Sequence, residues 1–113
     1  MENRKDDNYF VDKIVNCINT IEEVSKNKSM EDIENDVMVN NTIMFQFTLI
    51  GEYSTRLTEE YKNSKPNVPW QEIKGFRNRI VHDYNGVVYS RISRTIEADL
   101  PILKKEILRW NTT

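Results

Sequence analysis

His82 is the only histidine in the chain. Arg77, Asn78 and Arg79 stand within five residues before it and Tyr84 two residues after it. Histidine is the side chain whose ordinary titration falls near neutral pH, so it can take or give a proton during a reaction. Arginine stays charged at any working pH and presents five N–H donors in a planar fork. Together these residue types suit proton transfer beside a fixed cation.

Their placement follows from helical geometry. With about 100° per residue and Arg77 at zero, Trp70 falls near ~20°, Ile73 near ~320°, Phe76 near ~260°, Ile80 near ~300°, Val81 near ~40° and Tyr84 near ~340°. The apolar stripe is centred near ~320°, so Arg77 lies inside it and is expected to face inward. An inward guanidinium costs several kcal/mol unless it is paired. A salt bridge to Glu52 or to Glu22 would meet that need. Arg79, near ~200°, faces solvent, while Asn78 and His82, four residues apart, share the flank at ~100–140°.

The elements that must position these side chains read as helices. Phe10, Ile14, Cys17, Ile18, Ile21 and Val24 predict an amphipathic helix over residues 7–26, ended by Lys26-Asn27-Lys28-Ser29. Residues 1–6 are polar and expected to fray. Ser29 with Asp32 predicts the cap of a short turn. A long second helix is expected over residues 35–62, its stripe running through Val37, Met44 or Ile43, Phe47, Ile50, Ser54, Leu57 and Tyr61. Phe45, Leu49 and Tyr53 widen its apolar surface, so it should pack against two partners, one of them another subunit. Gly51 costs this helix about 1 kcal/mol against alanine. Its expected use is a close helix approach, or a gap admitting a ligand with Glu52 in reach.

Residues 63–69 form a loop, and Pro69 opens the helix that carries Arg77 and His82. Asn85-Gly86 should end that helix. A last helix follows from about Val87, kinked or restarted near Pro101, with Asp99 as its cap. Nothing alternates like a strand. The expected fold is all-α, a single domain over residues 1–113 built as an up-and-down bundle of about four long helices.

Composition narrows the function. Charged residues make up 30% and hydrophobic ones 38%, with three glycines and three prolines, a balance that suits a bundle with solvated outer faces. Sixteen Lys and Arg against 18 Asp and Glu give a net charge of −2, which argues against a general nucleic-acid binder. A local basic footprint remains, with Lys62, Lys65, Lys74, Arg77 and Arg79 around the motif and Arg91 and Arg94 after it. Cys17 is the lone cysteine and reads as a small core residue. One Cys and one His cannot build a zinc site, and the acids are scattered, so neither metal nor cofactor is expected. No apolar run approaches the ~18 residues of a membrane span, and the N-terminus lacks the apolar stretch of a signal peptide. A cytoplasmic protein without membrane contact is expected.

The pattern Arg-x4-His-x-Tyr, carried by Arg77, His82 and Tyr84, resembles the motif of the HepT-like toxins, a branch of the HEPN superfamily of small helical proteins. Ile50-Gly51-Glu52, Pro69-Trp70, Arg77-Asn78 and Asp99-Leu100-Pro101 agree with that family in order. The resemblance covers roughly residues 8–108. From residue 85 onward the chain departs from the commonest family text, which has an aromatic or apolar residue where Asn85 stands.

The resemblance implies a toxin that cleaves RNA without a metal. His82 would move protons at the ribose 2′-hydroxyl or the leaving 5′-oxygen, and Arg77 would neutralise charge on the phosphoryl oxygens. Asn78 would orient His82 or the phosphate, Lys74 would support RNA binding, and Tyr84 would contact the nucleotide. The resemblance also implies a minimal nucleotidyltransferase as antitoxin partner, which modifies the motif tyrosine, here Tyr84, with AMP. One histidine serves poorly as both acid and base, and Arg77 and His82 lie ~140° apart on one helix. A homodimer with two facing motifs is therefore expected. Two other readings compete: a non-catalytic nucleotide-binding or adaptor subunit of a nucleotidyltransferase complex, and a helical dimerisation module. RNA cleavage in EDTA with and without His82→Ala separates the nuclease from the adaptor, and a His82→Ala variant that loses stability rather than activity marks the dimerisation module.

Overall fold

A computed structural model describes residues 4–82 and 95–109. Among them every regular element is a helix, so the fold is all-α as expected. Helix α1 (Arg4–Ser25) begins inside the stretch expected to fray and buries Val11, Ile14, Cys17, Ile18 and Ile21 at three- and four-residue spacing. It ends where the Ser25 hydroxyl donates back to the Ile21 carbonyl at 2.7 Å. Asn27 then takes a left-handed conformation (φ 60°), which asparagine tolerates better than most residues.

Helix α2 (Met30–Asn35) opens on the capping residues read from sequence. The Asp32 amide donates to Ser29 Oγ and the Ser29 amide donates to the Asp32 carboxylate, each at 3.0 Å. Asp36 caps α3 (Val37–Thr55) by accepting from the Val39 amide at 3.1 Å. The buried Asn40 side chain donates to the Ile33 and Glu34 carbonyls and ties the end of α2 to α3.

The long second helix does not run through to residue 62. It stops at Thr55, and a separate short helix α4 (Glu59–Asn63) follows. The cause lies 51 residues upstream, in the buried carboxylate of Asp7. Asp7 accepts from the Thr58 amide at 2.8 Å and from the Thr58 hydroxyl at 2.7 Å. That hydroxyl in turn accepts from the Tyr61 amide, so Thr58 is the N-cap of a new helix. Asp7 and burial together raise the titration of the neighbouring Tyr61 hydroxyl, burial being the larger cause.

Helix α5 (Trp70–His82) begins one residue after Pro69, whose carbonyl accepts the Ile73 amide. The Trp70 indole N–H donates to the Lys62 and Lys65 carbonyls, which fixes the loop before the helix. The irregularity expected near Pro101 takes the form of a π-helical turn, Thr95–Asp99, running directly into α6 (Leu100–Arg109). Proline at 101 has no N–H for the Glu97 carbonyl and its ring would crowd that oxygen, so the preceding turn widens. Asp99 is the last residue of that wide turn rather than a cap. Helix α3 is the centre of the bundle, packed against α1 on one side and α5 on the other. Leu100, Leu103 and Ile107 of α6 join the core, and Lys104 pairs with Glu22 of α1 at 2.8 Å.

Candidate active site

The site is built where α5 crosses α3. Phe76 meets Phe47 edge to face, with ring centroids 5.3 Å apart, and this contact sets the height of α5 on α3. One residue later Arg77 lies across Gly51. A β-carbon added at Gly51 would sit on the Arg77 Cβ and only 2.6 Å from its Cγ. Gly51 therefore lets the aliphatic stem of Arg77 rest on the backbone of α3.

The arginine head is held on two sides. Its Nη2 pairs with the Glu52 carboxylate, and its Nη1 donates to the Asn78 side-chain oxygen at 2.7 Å. Of the two acids open as partners from sequence, Glu52 takes Arg77, while Glu22 is engaged by Lys104. Arg77 Nε is buried and meets no acceptor among the described residues. The side chain is 28% exposed, so part of the fork still faces solvent. A guanidinium fixed in this way needs little reordering to receive an oxyanion.

The other sequence-derived residues are placed as follows. Asn78 is half-buried, and its oxygen serves Arg77, the neighbour on the same helix. His82 is exposed on the last described turn of α5 and does not converge with Arg77 inside one chain. Lys74 is exposed one helical turn before Asn78. Tyr84, Asn85, Gly86, Arg91 and Arg94 lie outside the described residues. Among the described residues no three His, Cys, Asp or Glu side chains come close enough to hold a metal, and no helix is long and apolar enough to cross a membrane.

One exposed ridge runs the length of α3. Met38, Phe45, Glu52 and Arg56 share it, since their spacings of seven, seven and four keep them within about 40° of one another. Its first half is apolar, with Met38 81% and Phe45 59% exposed. Val81 of α5 is also exposed, on the same helix as the motif. The second half is polar and borders the Arg77 site.

The family model for HepT-like ribonucleases matches residues 14–109, which span this site and the helices that build it. The chain belongs to the HepT-like family of the HEPN superfamily. A provisionally named RNase of Caldanaerobacter subterraneus subsp. tengcongensis is 35% identical over 91 residues, covering 80% of each chain. Another provisionally named RNase, from Methanocaldococcus jannaschii, is 29% identical over 104 residues, 92% of this chain and 95% of its own. A protein of Thermococcus cleftensis named as probable ribonuclease HepT is 28% identical over 95 residues, covering 84% of this chain and 86% of its own. No solved structure matches the chain significantly.

Sequence reasoning named Arg77, Glu52 and Gly51 but missed the Asp7–Thr58 contact that ends α3 beside them. A threonine followed by two glutamates, Thr58-Glu59-Glu60, is a usable capping signal and stood within the expected helix.

Proposed function

We propose that this protein is the toxin of a toxin–antitoxin pair, a metal-independent endoribonuclease. The observation that carries the reading is the inward Arg77, held by Gly51, Glu52 and Asn78 in a chain of a ribonuclease family. The ribose 2′-oxygen attacks the adjacent phosphorus, the P–O5′ bond breaks, and Arg77 neutralises charge on the non-bridging oxygens. One His82 takes the 2′-hydroxyl proton and another gives a proton to the departing 5′-oxygen. The products are a 2′,3′-cyclic phosphate and a 5′-hydroxyl.

Two histidines require two chains. A homodimer about a two-fold axis would bring the second His82 to the site, and the exposed Met38, Phe45 and Val81 are the surface it would cover. The partner that silences the toxin is a minimal nucleotidyltransferase that adenylylates Tyr84. The added phosphate would pair with Arg77 and the base would fill the space that RNA needs.

The decisive experiment incubates RNA with the protein in EDTA, beside Arg77→Ala and His82→Ala variants of unchanged circular dichroism. Cleavage in EDTA by the wild type alone is expected. Activity retained by the His82 variant, or lost on chelation, refutes the mechanism. Tyr84→Phe should keep the fold yet escape a co-expressed nucleotidyltransferase, and added mass on another tyrosine would overturn that assignment.

A further inference from the structure

The amino-terminal end of α1 carries an aromatic cluster that the catalytic reading does not use. Tyr9 is 56% exposed and stands edge to face against Phe10, centroids 5.2 Å apart. Phe10 in turn lies 6.1 Å from Tyr53 of α3, with the rings 32° from parallel. Two cations sit against these rings. Lys13 Nζ is 5.3 Å from the Tyr9 centroid, and the Arg56 guanidinium carbon is 6.0 Å from that of Phe10.

Position links this cluster to the Arg77 site. Arg56, the C-cap of α3, follows Glu52 by one helical turn at the end of the same ridge, a rise of about 6 Å. Glu52 holds Arg77 on the α5 side of that ridge, and Arg56 holds Phe10 on the α1 side. A strand lying across the polar half of the ridge would meet Arg77 on one side and the rings on the other.

Given the ribonuclease reading above, on which this rests, we infer that Tyr9, Phe10 and Arg56 form a stacking subsite for an unpaired RNA base next to the cleaved phosphate. An exposed ring and a planar guanidinium both offer flat faces to a base, and neither asks for a particular one. Asp6 and Asp12, both exposed, lie within one turn of Tyr9 on α1. They offset Lys13 and Arg56, so the surface is close to neutral. Stacking rather than phosphate neutralisation holds the ligand, and the salt dependence it adds is small.

The test measures fluorescence anisotropy of a labelled single-stranded 2′-O-methyl oligonucleotide, which cannot be cleaved, against the full chain. Tyr9→Ala should weaken binding about tenfold, as loss of one base stack does. Tyr9→Trp should retain binding, Arg56→Ala should weaken it, and the salt slope should stay as in the wild type. A duplex of the same sequence should bind Tyr9→Ala and wild type alike, because its bases are already stacked. Equal affinity of Tyr9→Ala and wild type for the single strand overturns the subsite and leaves the ribonuclease reading standing. Failure of the wild type to bind any RNA removes both. Weakened binding accompanied by a changed sedimentation coefficient would mark Tyr9 as a protein contact and also overturn it.

Discussion

Replacing Gly51 by alanine should destabilise the protein and disarm it, although the residue lies within a helix. Helix propensity alone favours alanine over glycine by about 1 kcal/mol. Against this stands the new β-carbon, which would meet the Arg77 Cγ at 2.6 Å and its Cβ closer still. The Cβ is fixed by the backbone, so no rotamer change clears it, and α5 must move away from α3 by about 1 Å. Overpacking of this kind costs about 1–3 kcal/mol. The net loss is then about 1 kcal/mol, a fall in Tm of about 4–8 °C for a domain near this size. The displacement also pulls Arg77 from Glu52, and a misplacement of about 1 Å at a reacting centre can cost about a hundredfold in rate. Gly75 supplies the control. It is exposed in α5, and a β-carbon there would meet nothing within 4 Å, so Gly75→Ala should raise stability by about 1 kcal/mol. Thermal melts and single-turnover RNA cleavage of the two variants decide the matter. A Gly51→Ala protein that melts higher than wild type and cleaves at full rate would refute the close approach of Arg77.

Three further outcomes follow from the same structure. Asp7→Ala leaves the buried Thr58 amide without its acceptor and should cost about 3 kcal/mol in urea unfolding. Asp7→Asn, which keeps one acceptor, should cost less, and an equal loss for both would point to the charge itself. Burial pushes the Cys17 thiol up to about 11, the positive charge of Lys13 opposing that only in part. The folded state thus favours the neutral thiol. Its stability contribution should hold below the unfolded thiol's range and fall as the pH rises from about 9 to 11. Native protein at pH 8 should accordingly react with a thiol reagent only after denaturant is added, and rapid native labelling would contradict the burial. Finally, Phe45→Lys, at a site 59% exposed on the apolar half of the α3 ridge, should convert the proposed homodimer to monomer in sedimentation. An unchanged coefficient would remove that ridge from the interface.

Much of the bundle was legible from local pattern. The spacing of Ile14, Cys17, Ile18 and Ile21 marks the buried stripe of α1, and Ser29 with Asp32 marks the start of α2, because both signals act within four residues of themselves. The same periodicity placed Arg77 inward among Ile73, Phe76 and Ile80, a placement that its contacts with Gly51 and Glu52 bear out. It could not say which acid answers the guanidinium. Glu22 and Glu52 are alike in type, and the choice between them depends on the height at which α5 crosses α3, set by Phe76 against Phe47. Nor could it end α3 at Thr55. Within residues 35–62 helical spacing continues unbroken, and the interruption comes from Asp7, whose carboxylate reaches Thr58 only after α1 has packed beside α3. Periodicity and caps are properties of neighbours along the chain. Pairings between helices are set by packing register, which arises when the side chains of both interlock.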